Sequence, residues 1–422
     1  MVYLPRTVDV ELDELLPGLA AIAIKGPKGV GKTETARRRA RSILALDDPS
    51  VRELVGADPD LVTRTRPPLL IDEWQRLPQV WDVVRRAVDE GAAPGRFLLT
   101  GSATPSEGTV VHSGAGHIVQ LRMRPLCVAE RRLTPSTVSL GSLLAGYRPD
   151  VSGDSPLLLS DYVEEILASG FPAIRTLTGR PRRVQLEGYL QRIVDHDFPE
   201  QGQRVRRPST LRAWLTAYAA ATATTASHAK IIAAASTSDR PPAKTTTISY
   251  RDVLAQLWLL DPIPGWTPSR NWFTRLKESP KHHLADPALA AALLGATAQS
   301  LLAGDDSAWE VRDGTLLGGL FESLAALTVQ VAAQASEASV AHLRTRNGDH
   351  EVDFIVERPD HKVLAIEVKL AATVSDRDVT HLRWLASTIG EDLIDSIVIT
   401  TGRHAYRRPD GIAVVPLALL GA

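Results

Sequence analysis

Cysteine is all but missing from this sequence: Cys127 stands alone among 422 residues. One thiol excludes any disulfide within the chain, and such usage fits a reducing compartment. An excess of one charge is missing too. Lysine and arginine number 48 against 49 aspartates and glutamates, a formal charge of −1, so no global field attracts a polyanion. Long hydrophobic runs are scarce. Those around Leu19–Ile24 and Val414–Leu420 fall far short of the roughly 20 residues of a membrane span. The first residues carry acids early and hold no apolar stretch of signal-peptide length. The expectation is a soluble, cytoplasmic protein with no membrane partner.

What is present divides unevenly. The length predicts two or three domains rather than one core. Short apolar runs at residues 20–25, 67–74 and 95–104 alternate with helical stretches such as 80–90. That alternation predicts an α/β fold with a parallel sheet. From about residue 150 the pattern becomes helical. Between Arg175 and Arg212 nine arginines face four acids, a local balance of +5. The alanine- and threonine-rich stretch 217–247 reads as two short helices and a turn, followed by a third amphipathic helix in "SYRDVLAQLWLL". Three helices followed by extended segments suit a winged helix. The last section reads as a helix from about Gly314 and strands at 340–346, 351–357 and 362–370 joined by hairpin turns. A helix at 377–389 and strands at 396–401 and 412–417 complete it. The expected boundaries are 1–150, 151–310 and 311–422.

The first chemical signal is Gly26-Pro27-Lys28-Gly29-Val30-Gly31-Lys32-Thr33. Glycines let backbone N–H groups encircle phosphate oxygens, lysine neutralises them, and threonine offers a magnesium ligand. The following helix points its positive end at the same anion. Next comes "LLIDEW". Asp72 at the end of a strand is placed to hold the magnesium of ATP, and Glu73 to polarise the attacking water. From "LLTGS", either Thr100 or Ser102 is placed to reach the γ-phosphate.

Together with "HSGAGHIVQLRMRPL" and the later "EVDF…AIEVK", these motifs resemble the AAA-type ATPases of bacteria and archaea that carry a C-terminal nuclease-like domain of unknown function. The resemblance implies an N-terminal P-loop NTPase with an AAA-type parallel sheet, and a middle region comprising a helical lid and a winged helix. It implies a C-terminal restriction-endonuclease-like α/β domain, and ATP and magnesium as cofactors. Lys32, Thr33, Asp72, Glu73 and Thr100 or Ser102 inherit the roles of binding and hydrolysing ATP. Where relatives carry Gly-Arg, this chain has Gly116-His117. The arginine finger then falls to Arg122 or Arg124, or hydrolysis is slow; His117 itself reads as an inert surface residue. Rings are common in such ATPases, so an oligomer is compatible with the resemblance. The arginines at 180, 182, 183, 204, 206 and 207 either contact DNA or RNA phosphates or form an interdomain surface.

The second signal is "EVDFIVERPDHKVLAIEVK". Residues two apart on a strand share a face, so Glu367 and Lys369 point one way, and Asp353 meets them if the strands pair across the "RPDHK" turn. Two carboxylates on one metal ion beside a lysine suit phosphodiester hydrolysis. The pattern resembles the PD-(D/E)XK nuclease superfamily. That resemblance implies catalytic roles for Asp353, Glu367 and Lys369, metal binding by Asp353 and Glu367, and a helical acid such as Glu322 beside them. Two functions stay open: an ATPase whose nucleotide state controls a nuclease-like domain, and a switch whose C-terminal domain binds a partner or nucleic acid without cutting it.

Overall fold

The structure, a computed structural model, describes residues 3–101, 116–202, 207–236, 243–268, 278–303, 313–345 and 347–422. Ser102, Arg204 and Arg206 lie outside the described residues. The N-terminal strands are β1 (Ala21–Lys25), β2 (Ser42–Ala45), β3 (Leu69–Asp72), β4 (Phe97–Gly101) and β5 (Val119–Arg122). They form one parallel sheet in the order β2-β3-β4-β1-β5. The inner strands β1, β3 and β4 are buried at every residue, as expected of strands covered on both faces. Ile22, Ile24, Leu70 and Leu98 pack to one side and Ala21, Ala23, Leu69, Ile71, Phe97 and Leu99 to the other. The order sets β4 between the strand that feeds the glycine loop and the strand that ends in Asp72.

The middle of the chain is helical, as its pattern predicts. Helices Pro208–Ala220, His228–Ala234 and Lys244–Gln256 span the alanine-rich stretch and its flanks. The extended segments after them pair through isolated bridges, Leu260 with Leu284 and Ile263 with Lys281. Asp286 caps the helix Pro287–Leu293, its carboxylate accepting from the Ala288 N–H at 2.8 Å with proline at the first helical turn. Both features favour a helix start.

The C-terminal sheet draws on more of the chain than the sequence pattern suggests. Two-residue strands form early: β6 (Val138–Ser139), β7 (Gly153–Asp154) and β8 (Gly265–Trp266). The helix Asp313–Ala335 precedes β9 (Ser339–Arg344), β10 (Glu351–Glu357) and β11 (Val363–Lys369). After the helix Thr380–Ile389 come β12 (Leu393–Thr400), β13 (His404–Arg407), β14 (Ala413–Pro416) and β15 (Leu420–Gly421). Eight strands join in the order β7-β13-β14-β12-β11-β10-β9-β8, so residues 153–154 and 265–266 supply both outer strands of a sheet otherwise built from residues 339–416. A strand of two residues has no periodicity to read, which is why these two were not expected. The helix stretch Leu316–Ala335 is long and apolar enough to cross a membrane, yet most of it is buried inside the protein. Its apolar residues Leu320, Phe321 and Leu324 belong to the main core.

One buried carboxylate ties the three regions together. Asp261 receives Arg122, the last residue of β5, at 2.9 Å and Arg124, two residues on, at 2.8 Å. Arg124 also donates to Gln330 at 2.9 Å and Gln334 at 3.1 Å on the long helix. Burial opposes the charge on Asp261, but Arg124 and Arg122 hold its carboxyl below the usual range. Removing one partner of such a buried group strands the others without a counter-charge. Asp261→Ala should therefore destabilise the protein by about 3–5 kcal/mol. The triple variant Arg122→Met, Arg124→Met, Asp261→Leu, which strands no charge, should recover part of that loss. Thermal or urea unfolding of the three proteins checks both expectations.

Candidate nucleotide site and carboxylate cluster

The glycine loop is built so that only glycine fits at its first position. A Cβ on Gly26 would lie 2.0 Å from the carbonyl oxygen of Met123, and Gly29 and Gly31 adopt φ of +83° and +102°. These are left-handed conformations that side chains disfavour. Gly31 is also the residue from which the helix Lys32–Arg37 starts. Lys32 is buried and its Nζ donates to the carbonyls of Gly26 at 2.8 Å and Pro27 at 2.7 Å. Burial lowers its pKa to about 8, against the opposing pull of Glu73 and Asp72.

Asp72 completes the site from the next strand but one. Its Oδ1 accepts from Thr33 Oγ1 at 2.9 Å and from Thr100 Oγ1. Thr100 is placed there by register, paired with Ile24 on one side and Asp72 on the other. Glu73, the first residue beyond β3, takes φ +52°, a left-handed conformation that is costly without glycine and is concentrated at functional sites. Burial raises its pKa, Lys32 opposing, and Gln75 Nε2 donates to its carboxylate. Hydroxyl and carboxylate oxygens around one point are the donors magnesium takes, so these residues fit the ion and the phosphates expected at the loop.

Three further groups shape the surroundings. Arg6 braces the loop from outside, donating to Val30 O at 2.8 Å and Arg124 O at 2.6 Å and pairing with Glu130 at 3.1 Å. Lys28, read as a loop member, turns its ammonium away to Asp197 at 2.7 Å and Glu200 at 3.0 Å. Asp197 ends a π-helical turn, Ile193–Asp197. A cavity of about 810 Å³ opens beside Gly29, Val30 and Gly31 and reaches Tyr3, Met123, Pro172 and Arg175, within the range of small-molecule sites. Arg122 and Arg124, expected as substitute fingers, are both committed to Asp261. His117 stands 3.2 Å from Asp89 near the surface. Of the basic residues expected to meet nucleic acid, Arg180, Arg183 and Arg207 are exposed, and Arg182 is half-buried, bonded to the Leu177 carbonyl at 2.8 Å.

At the other end, β10 and β11 pair antiparallel with Phe354 opposite Ile366, which sets Asp353 and Glu367 side by side. A register shift between Val352 and Ile355 in the pairing with β9 is the kind of irregularity that re-aims a side chain. Asp353 Oδ2 accepts from the Val368 N–H at 2.9 Å, and Lys369 Nζ donates to Glu367 Oε2 at 2.9 Å. The residue missed in the sequence is Lys281. Its buried ammonium lies 2.9 Å from Glu322, 2.9 Å from Asp353 and 3.2 Å from Glu351. Burial works against that charge, but Asp353, Glu322 and Glu351 together raise its pKa. Burial and the Asp353 carboxylate push Glu322 up to about 8 and also push Glu367 up. Asp353 is held low against its burial by Lys281 and Lys369. Among the described residues no three or more histidine, cysteine, aspartate or glutamate side chains are arranged to hold a metal ion. For the expected metal ligands Asp353 and Glu367 the fit fails on geometry: Lys281 Nζ stands on Asp353 Oδ1 and Lys369 Nζ on Glu367 Oε2, each at 2.9 Å. The signal in the sequence was a lone lysine before two histidines, which nothing local distinguishes.

Comparison with known proteins matches three stretches of the chain. Residues 20–131 match the AAA domain family. Residues 159–300 match a domain of unknown function (DUF8612) and residues 317–420 another (DUF4143). The chain is 24% identical over 420 residues to the uncharacterized protein Rv2008c of Mycobacterium tuberculosis, and equally to Mb2031c of Mycobacterium bovis, covering 97% of this chain and 83% of theirs. Among solved structures, the Walker-type ATPase paby2304 of Pyrococcus abyssi aligns at 12% identity and TM-score 0.34, over 69% of this chain and 96% of that one. The Drosophila ORC bound to DNA aligns at 14% identity and TM-score 0.25, over 65% and 89%. At these scores neither alignment defines the fold. The family match and the loop geometry concern the same residues: the N-terminal part of the chain is an AAA-type P-loop ATPase domain.

Proposed function

We propose that the protein binds and hydrolyses magnesium-ATP at the N-terminal site, and that its nucleotide state controls the C-terminal nuclease-like domain, which acts on DNA or RNA. The observation that carries the ATPase part is a single oxygen, Asp72 Oδ1, accepting from both Thr33 and Thr100 beside the glycine loop. In this reading Lys32 exchanges its two carbonyl partners for phosphate oxygens, Thr33 and Asp72 hold magnesium, and Glu73 orients the attacking water. A carboxyl with a raised pKa and a restrained side chain suits that task. Thr100 then holds Asp72 in place as well as facing the phosphate. At the C-terminal end Glu322, Asp353, Glu367 and Lys369 form the nuclease-like constellation. One observation favours the second reading, in which that domain binds nucleic acid or a partner without cutting: Lys281 already occupies an oxygen of Glu322 and one of Asp353.

Four measurements test these roles. Lys32→Ala should abolish binding of a fluorescent ATP analogue, whereas Glu73→Gln should keep binding and slow turnover by about 10²–10⁴; unchanged turnover would assign the water to another residue. Affinity should also fall as pH rises through about 8, the pKa at which buried Lys32 loses its charge. The sign follows because phosphates favour the ammonium: below that pH it is already present, and above it each unit costs up to about tenfold in affinity. In Lys32→Arg, whose charge persists, that slope should vanish. For the C-terminal domain, wild type and Glu367→Ala are incubated with DNA and RNA in magnesium or manganese, with and without ATP. Cutting by wild type alone supports the nuclease reading, and no cutting by either supports the second.

A further inference from the structure

The carboxylates gathered at the start of β10 and the end of β11 already have a cation, and it comes from outside the C-terminal region. Lys281 reaches in from the extended segment that pairs with Ile263, and only 1% of its side chain is exposed. Its three carboxylate contacts, at 2.9, 2.9 and 3.2 Å, nearly match the three donors that an ammonium carries. Six-coordinate divalent ions bind carboxylate oxygens at about 2.0–2.6 Å, so an ion and the ammonium compete for the same oxygens of Glu322 and Asp353. A second observation marks the place as polar beyond what Lys281 satisfies: Glu367 is buried, and its Oε1 meets no hydrogen-bond partner among the described residues.

Lys281 is also held firmly. Its backbone exchanges hydrogen bonds with Ile263 at 2.8 and 2.9 Å, and two residues away Asp261 donates its N–H to His283 O at 2.9 Å. Asp261 is the residue clamped by Arg122 and Arg124. Glu322, one partner of the ammonium, sits on the helix that Arg124 grips through Gln330, eight residues or about 12 Å along its axis. The ammonium and one of its partners are thus anchored to the same arginine, next to the glycine loop.

We propose that in the nucleotide-free protein Lys281 is the resident cation of the C-terminal carboxylate cluster, filling the seat a divalent ion would take and keeping such ions out. The proposal rests on the nuclease-like reading of the cluster but is tested apart from cleavage. Manganese binding is measured by electron paramagnetic resonance on the full-length protein without nucleotide. Wild type should show no manganese signal that depends on Asp353, judged against Asp353→Asn. Lys281→Met should gain one ion per chain, bound about tenfold or more tighter than anything in wild type, and lose it when Asp353→Asn is added. Lys281→Met with Glu322→Gln, which leaves one fewer buried carboxylate, serves if the single variant does not fold. The proposal is overturned if wild type binds manganese through Asp353, a result that needs no lysine variant, or if the folded lysine variants gain no ion. Manganese gained without any cutting of DNA or RNA would uphold the proposal and discard the nuclease reading.

Discussion

The contact on which the rest of the structure depends is the sharing of one buried carboxylate by two arginines. Arg122 and Arg124 leave β5 one residue to either side of Met123, whose carbonyl closes over Gly26 of the loop. Their common partner, Asp261, belongs to the middle of the chain. Buried guanidinium groups need a counter-charge, and this one sits where the segment carrying Lys281 begins its pairing. The nucleotide loop, the middle segment and the C-terminal carboxylates are therefore consecutive members of one polar chain, with apolar packing around it.

The N-terminal site was legible because its chemistry is local. Eight consecutive residues make the loop, and the acids follow directly on a short apolar run. What ordered them in space was the insertion of β4 between β1 and β3, which brought Thr100 onto Asp72. Arg6 escaped notice because it braces Val30 across 24 residues of sequence and Arg124 across 118. Lys28 was read by its place in the loop, whereas its charge follows Asp197 and Glu200, about 170 residues on.

At the C-terminal end, alternation along β10 and β11 gave the strands and the pairing of Asp353 with Glu367, and an apolar pattern gave the helix that carries Glu322. Lys281 lay beyond that logic. It stands 41 residues from Glu322 and 72 from Asp353, in a stretch whose neighbours, His282 and His283, attract more attention. His283 is buried with neither ring nitrogen partnered among the described residues, and burial lowers its pKa to about 3. It is a neutral core group beside the lysine that matters. The pairing of charges in a buried cluster is a property of the whole fold, and no short window of sequence displays it.

The two outermost strands of the C-terminal sheet, β7 and β8, are lent by residues 153–154 and 265–266. An unpaired strand edge is a template for other chains. A piece of this protein starting near residue 311 would expose β13 on one side and β9 on the other, each with its hydrogen-bonding row open. Such a fragment would tend to add strands from its neighbours and clump. The same loan joins positions 153 and 405, contacts far apart in sequence of the kind that slow folding. During synthesis, β7 has to wait for some 250 further residues before its partner exists, so the early part of the chain emerges from the ribosome with its β-edge still unmet.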